Sequence, residues 1–173
     1  METITEYRKR LRDMGIKRLG GGLFSTVYQH PTLPNVAVKM IVRNDPKYIE
    51  YAQKCTGLDN PWLPKIYGIE YAKVLKRGRE ITVAFVFLER LKRASRKERI
   101  NTALKLGASK ETNAGNGYLE CLNWKALQRS KDKNVSEAAK LLCDIGMNDL
   151  HEGNVMMRDG QLVITDPVAS EIT

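Results

Sequence analysis

Short apolar and polar runs alternate across residues 16–42, where turn residues separate IKRLGGG, LFSTVYQH and VAVKMIV, and the pattern predicts three antiparallel strands. Asn44-Asp45 before Pro46 is a helix-start signal, so KYIEYAQKC is expected as a short helix that Gly57 and Pro61 end. Two further strands are expected in LPKIYGIEY and REITVAFVFLERL, the second apolar enough to lie centrally in a sheet. The first half of the chain thus reads as a five-stranded sheet with one helix.

The pattern changes after Leu91. Residues 92–109 are basic, and SKETNAGNGY is polar and rich in Gly and Asn, as a loop would be. A boundary near residue 92 follows, with one lobe over 1–92 and a mostly helical one over 93–173. YLECLNWKALQ reads as a helix with Leu119, Leu122, Trp124 and Leu127 near one face. From Asn134, taken as the N-cap, Val135, Ala138, Ala139, Leu142 and Ile145 recur at helical spacing until Gly146. VMMRDGQLVITD then places two apolar runs around Asp159-Gly160, the strongest hairpin signal in the chain.

Composition narrows the class. A chain of 173 residues with 42% hydrophobic content can bury one sizeable core without covalent staples. Its three cysteines, Cys55, Cys121 and Cys143, are widely spaced and suggest neither a disulfide framework nor a zinc site. The charged amino-terminal stretch lacks the apolar run of a signal peptide, and no segment is apolar enough to span a membrane, so a cytosolic protein with no membrane partner is expected. The net charge of +9 is uneven: residues 73–110 carry twelve Lys or Arg against three Glu, an excess equal to the whole. Such a run is a solvated face, a docking surface for an acidic protein or, less favoured, a nucleic-acid contact.

Three separated motifs carry the chemistry. In Gly20-Gly21-Gly22-Leu23-Phe24-Ser25-Thr26-Val27-Tyr28, glycines flanked by strands let backbone amides approach phosphate oxygens, although alone this is equally an unliganded β-turn. It resembles the kinase pattern GxGxxGxV, with Ser25 at the third glycine. Val36-Ala37-Val38-Lys39, whose lysine stands twelve residues after Val27, resembles the kinase VAIK, in which the lysine reaches the α- and β-phosphates. Glu50 on the expected helix is the acid placed to pair with Lys39, though the usual glutamate lies further along. The third motif is Asp149-Leu150-His151-Glu152-Gly153-Asn154, followed by the hairpin and Ile164-Thr165-Asp166-Pro167. An Asp followed five residues later by Asn, then an Asp beyond a hairpin, supplies one base and two hard oxygen ligands for magnesium. Asp149 is the candidate base, and Asn154 and Asp166 are the candidate metal ligands. His151 reads either as a structural histidine or as a partner of the catalytic loop.

These residues resemble a known family. DLHEGN is closer to the aminoglycoside-phosphotransferase branch of the kinase-like fold than to the HRDLKPEN of eukaryotic kinases. More similar still is the early serine/threonine kinase of T-seven-like short-tailed phages, which shares the Gly-x-Gly-x-Phe-Ser loop, a His-Pro-x-Leu-Pro-Asn turn from His30 to Asn35, the Asp-x-His-x-Gly-Asn loop and the Ile-Thr-Asp-Pro-Val end. The resemblance spans residues 15–169. It implies an α+β protein-kinase-like bilobal fold with a truncated C-lobe, ATP and Mg2+ as cofactors, and ATP bound between the lobes. Ser25 and Val27 would join Gly20, Gly21, Gly22, Lys39 and Glu50 in holding the nucleotide. It also implies phosphorylation of host proteins, among them transcription or RNA-processing machinery and the kinase itself, in the infected bacterial cytoplasm.

The chain departs from the kinase pattern in two places. Met147-Asn148 replace the His-Arg before the catalytic Asp, which removes the arginine that reads an activation-loop phosphate. Seven residues follow Asp166, too few for an activation loop or for peptide-seating helices, so the basic segment 73–110 is the expected docking surface. Two other readings stay open: a non-catalytic kinase-derived module that inhibits a host factor, and a small-molecule phosphotransferase.

Overall fold

The computed structural model describes residues 1–22, 24–42, 45–107 and 122–168. The expected SKETNAGNGY loop lies outside them, as does the beginning of the helix expected over 118–128. The chain divides into two compact units, Met1–Asp45 with Ile66–Arg90, and Pro46–Lys65 with the chain from Leu91 onward. The helix that the sequence grouped with the first sheet belongs to the second unit.

The first unit is a five-stranded antiparallel sheet in the order β1-β2-β3-β5-β4, formed by β1 (Arg18–Gly21), β2 (Ser25–Gln29), β3 (Val36–Ile41), β4 (Ile66–Lys76) and β5 (Arg79–Glu89). As expected, the apolar run 79–89 is interior to the sheet. β4 continues to Lys76, beyond the expected end, because Arg77 and Gly78 take left-handed φ values of 52° and 75° and close a two-residue hairpin onto β5. One face of the sheet is covered by α1 (Ile4–Asp13), a helix the sequence reading passed over. Ile4, Tyr7 and Leu11 lie at i, i+3 and i+7, and they pack with Tyr28, Met40, Val74 and Val83. Thr3 and Glu6 close a capping box, with Thr3 N–H donating to Glu6 at 2.8 Å. The signal was present, but the helix is so charged that its narrow apolar stripe was masked.

In the second unit, β6 (Lys92–Arg93), β7 (Val155–Arg158) and β8 (Gln161–Ile164) form a small antiparallel sheet, accompanied by α2 (Pro46–Cys55), α3 (Arg96–Lys105), α4 (Trp124–Leu127) and α5 (Lys133–Asp144). The Asp-Gly hairpin forms as expected, with Asp159 and Gly160 at φ 46° and 84°. α5 buries Val135, Ala138, Ala139 and Leu142, the face the spacing predicted. Its N-cap is Asp132, not Asn134: the Asp132 carboxylate accepts from Asn134 N–H at 2.9 Å and Val135 N–H at 3.2 Å, and Asn134 is already helical. α3 arises within the basic segment, where a Ser95–Glu98 capping box starts it and Ala103 is buried. No described helix is long and apolar enough to cross a membrane.

Candidate active site

In the first unit, strand alternation decides which side chains are available. Tyr28 and Met40 point into the core beneath α1, so their neighbours Val27 and Lys39 occupy the opposite face. Lys39 pairs in register with Val27 on β2 and Val86 on β5, and it is only 5% exposed. A lysine this buried is uncommon, and such a group is held by partners.

The glycine-rich turn joins β1 to β2, and its glycines are not equivalent. A Cβ on Gly21 would lie 2.9 Å from the Arg18 guanidinium and 3.0 Å from the Ser25 carbonyl, so the turn is tight around that glycine and a larger residue there would need both neighbours to shift. Gly20 and Gly22 are not crowded: their φ values are not left-handed, and a Cβ on either would meet open space. Gly22 N–H closes the turn on Ser25 O at 3.0 Å. Gly20→Ala and Gly22→Ala are therefore expected to leave unfolding free energy within about 0.5 kcal/mol of wild type while weakening Mg-ATP binding in a calorimetric titration. Undiminished affinity in both variants would make the turn a purely structural one.

In the second unit the remaining motif residues converge. α5 stops at Asp144, and Gly146 two residues on, with a φ of 67°, lets Met147 N–H return to Leu142 O at 3.1 Å and turns the chain out of the helix. Asn148 and Asp149 then both donate their N–H groups to Pro167 O, at 3.2 and 3.0 Å. Asn154 is the hub. Its side-chain amide donates to Asp149 O at 2.6 Å and to the Asp149 carboxylate at 3.0 Å. Its own carbonyl accepts from Thr165 N–H at 2.8 Å, the Thr165 hydroxyl at 2.9 Å and Asp166 N–H at 3.3 Å. Three residues separated in sequence by a hairpin are thus joined through one asparagine.

His151 is held by the same loop. Its Nδ1 accepts from Gly153 N–H at 2.9 Å, and its Nε2 lies 4.0 Å from the Asp149 carboxylate. A Cβ on Gly153 would sit 2.6 Å from the ring's Cε1, so this glycine is needed for the imidazole to occupy its place. Gly153→Ala is expected to turn the ring away and to change phosphate transfer by the same factor as His151→Ala, with no further change in the double variant. Additive changes would separate the two residues.

The hairpin carrying Asp166 is braced by the stretch after α2. Ile164 N–H donates to Trp62 O at 2.9 Å, the buried Tyr51 hydroxyl donates to Ile164 O, and Arg158 donates to Leu63 O at 2.8 Å and Pro61 O at 3.3 Å. Buried Asn60 fixes that stretch, accepting from Trp62 N–H at 3.0 Å and donating to Asn134 O at 2.9 Å. Sequence reasoning missed Tyr51, Asn60 and Arg158, and nothing local marks them. Glu50, the expected partner of Lys39, lies on α2 in this unit, where its exposed carboxylate pairs with Lys54 at 3.1 Å.

Beside Asp149 opens a cleft of about 420 Å³ lined by Trp124, Met147, Asn148, Asp149, Leu150 and His151, a size in the usual range for ligand sites. Trp124 is 6% exposed and its indole N–H has no hydrogen-bond partner among the described residues. An unsatisfied buried donor costs about 1–3 kcal/mol.

Magnesium suits this donor set. Among the described residues no three His, Cys, Asp or Glu cluster as in an all-protein metal cage. Magnesium is instead commonly held by one or two protein oxygens, waters and substrate phosphates. Asn154 and Asp166 are adjacent through their backbones, and both amide hydrogens of Asn154 are spent on Asp149, so its Oδ1 is the atom that would face a metal ion.

The family model for bacteriophage T7 protein kinase 0.7 matches residues 1–171, in agreement with the resemblance read from the motifs. No curated protein matches the chain.

Proposed function

We propose, for a chain that belongs to the bacteriophage T7 protein kinase 0.7 family, that it transfers the γ-phosphate of Mg-ATP to serine or threonine hydroxyls of host proteins on a protein-kinase-like fold. The observation that carries the proposal is the Asn154 hub, which ties Asp149 on one side to Asp166 on the other. In this reading Asp149 orients the acceptor hydroxyl and receives its proton, held in place by the Asn154 amide and by Pro167 O. Asn154 and Asp166 would hold magnesium, which neutralises phosphate charge when bound. Lys39 would place an ammonium against the phosphates, and Gly20 and Gly22 would admit them to the backbone. Incubating the full chain with labelled Mg-ATP and host lysate tests the proposal. Labelled host proteins are expected; ATP binding without transfer to lysate, to the chain itself or to generic basic proteins would leave a non-catalytic module.

Substrate docking is proposed to use part of the basic segment. The segment is divided: Lys73, Lys76, Arg77, Arg79 and Arg90 belong to the sheet unit, and Lys92, Arg93, Arg96, Lys97, Arg99 and Lys105 to the other. Lys73 is engaged with Glu80 at 2.7 Å, and half-buried Arg99 donates to Ala94 O at 2.6 Å, so Arg99 serves the fold. Arg93, Arg96 and Lys97 are exposed. Reversing these three to Glu is expected to slow phosphorylation of the preferred lysate target severalfold at low salt, with the difference shrinking as salt rises. An unchanged labelling pattern and rate would return the patch to a solvated face, and loss of RNA or DNA binding alone would assign it to nucleic acid.

A further inference from the structure

We propose that His151 and Asp149 together form the seat of the acceptor hydroxyl: the Asp149 carboxylate takes its proton while the His151 Nε2–H holds its oxygen. The inference rests on the reading of Asp149 as the acceptor base. It adds a second group that touches the substrate, and with it the chemical class of acceptor that the pair admits.

The loop fixes which atoms face each other. An imidazole nitrogen that accepts a hydrogen bond carries no proton, and His151 Nδ1 accepts from Gly153 N–H at 2.9 Å, so in the neutral ring the proton is on Nε2. Nε2 stands 4.0 Å from Asp149 Oδ1. The other carboxylate oxygen, Oδ2, is already engaged by the Asn154 amide at 3.0 Å. Both members of the pair are thus anchored through one short turn, which His151 O closes by accepting from Asn154 N–H at 3.0 Å. Both are open to a substrate: the side chains of His151 and Asp149 are 51% and 42% exposed, and they line the same cleft.

The separation and the polarity of the pair select the occupant. At 4.0 Å the two atoms are too far apart for a direct hydrogen bond, but one oxygen about 2.8 Å from each bridges them. A hydroxyl suits that place because it gives one proton, to Oδ1, and accepts one bond, from Nε2–H. An ammonium has no lone pair for the histidine, and an ionised carboxylate has no proton for the aspartate. In the reaction the hydroxyl O–H bond breaks with its proton passing to Oδ1, the oxygen bonds the γ-phosphorus, and the bond from that phosphorus to the bridging oxygen breaks toward ADP. His151 keeps its proton throughout. Phosphoryl transfer through a loose transition state depends mainly on positioning, so a donor that fixes the oxygen helps more than it costs in nucleophilicity.

A purely structural His151 would act through Nδ1 alone, as the cap of the turn Glu152–Asn154, and two substitutions separate the nitrogens. His151→Asn keeps an acceptor for Gly153 N–H and removes the distal donor, whereas His151→Gln puts an amide N–H near the Nε2 position. Labelled transfer by the full chain from Mg-ATP to N-acetylserine amide and to host lysate is expected to fall about tenfold or more in His151→Asn, the worth of one hydrogen bond, with Mg-ATP affinity unchanged. Most of that loss is expected to be recovered in His151→Gln. The second measurement needs no catalysis: nitrogen NMR of the imidazole in a His30→Asn chain, in which His151 is the one histidine. Its Nε2 is expected to be the protonated nitrogen, and its signal to move on adding N-acetylserine amide and to stay on adding N-acetylalanine amide. Full activity in His151→Asn, His151→Gln no better than His151→Asn, a proton on Nδ1, or equal responses to the two amides would overturn the pairing. Wild-type transfer alongside any of those results keeps the kinase reading and leaves His151 as a turn cap; a serine-specific NMR response with no transfer keeps the hydroxyl seat and removes the kinase reading.

Discussion

Asp149→Asn is expected to lower phosphate transfer by at least about a hundredfold, the scale of a lost general base, while Mg-ATP affinity stays close to wild type. The substitution is nearly isosteric, so the loop should keep its shape. Asn148 and residue 149 would still donate backbone N–H groups to Pro167 O, and the Asn154 amide would keep its bond to the backbone carbonyl of residue 149. What disappears is the carboxylate proposed to accept the proton, with the charge that the Asn154 amide stabilises at 3.0 Å. A loss confined to turnover identifies a group that acts on the acceptor. An equal loss in nucleotide affinity would move Asp149 into the phosphate site, and wild-type turnover would place the base elsewhere. Asp166→Ala, by contrast, should weaken the magnesium dependence of nucleotide binding directly.

The second large effect is on stability at alkaline pH. Tyr51 and Cys55 lie one turn apart on α2, and both are fully buried. Burial, opposed by a hydrogen bond with Tyr51, pushes the Cys55 thiol from an ordinary 9.0 up to about 12. Tyr51 is likewise held well above its ordinary 10.0, first by burial and then by its neighbours Cys55 and Tyr48. The folded state therefore keeps protons that the unfolded chain releases. Their contribution is intact below about pH 9 and declines as pH rises toward 12, because the unfolded state gains the free energy of ionisation. Cys55 alone accounts for about 3 kcal/mol lost by pH 11, at 1.36 kcal/mol per unit. Urea unfolding at pH 8 and pH 11 should show a smaller fall in Cys55→Ala than in wild type. An identical fall would mean that the thiol ionises as readily folded as unfolded.

That α2 would contribute to the candidate site in this way could not be read from its sequence. Its start signal before Pro46 announced a helix, and Pro46 and Gly57 bounded it correctly. Which unit it would join depended on Tyr51 meeting Ile164 and on the residues after it meeting Arg158, contacts that cross roughly a hundred positions. The catalytic-loop motif was more legible because its spacing is itself the geometry: five residues from Asp149 bring Asn154 back within 3.0 Å of the carboxylate. The glycine-rich turn was legible as a turn. That Gly21 is the tightly packed one of its three glycines emerged from the packing of Arg18 and Ser25 around it. Within the basic segment, composition made Arg99 look like its neighbours, and its bond to Ala94 O set it apart.

The sequence by itself determined the features that arise within a few residues. Left-handed turns at Arg77-Gly78 and Asp159-Gly160, the buried face of α5 and the capping boxes of α1 and α3 follow from local sterics and local hydrogen bonds. So does the order of the candidate phosphate, base and metal residues along the chain. The tertiary structure decided which of those residues are joined and which are committed to other work. It made Asn154 a hub, sent Glu50 to Lys54, and left the buried Trp124 indole without a partner among the described residues. The reason is physical: burial removes water as an alternative partner, so each polar group must be satisfied by whatever the fold brings near, and those neighbours come from distant parts of the chain.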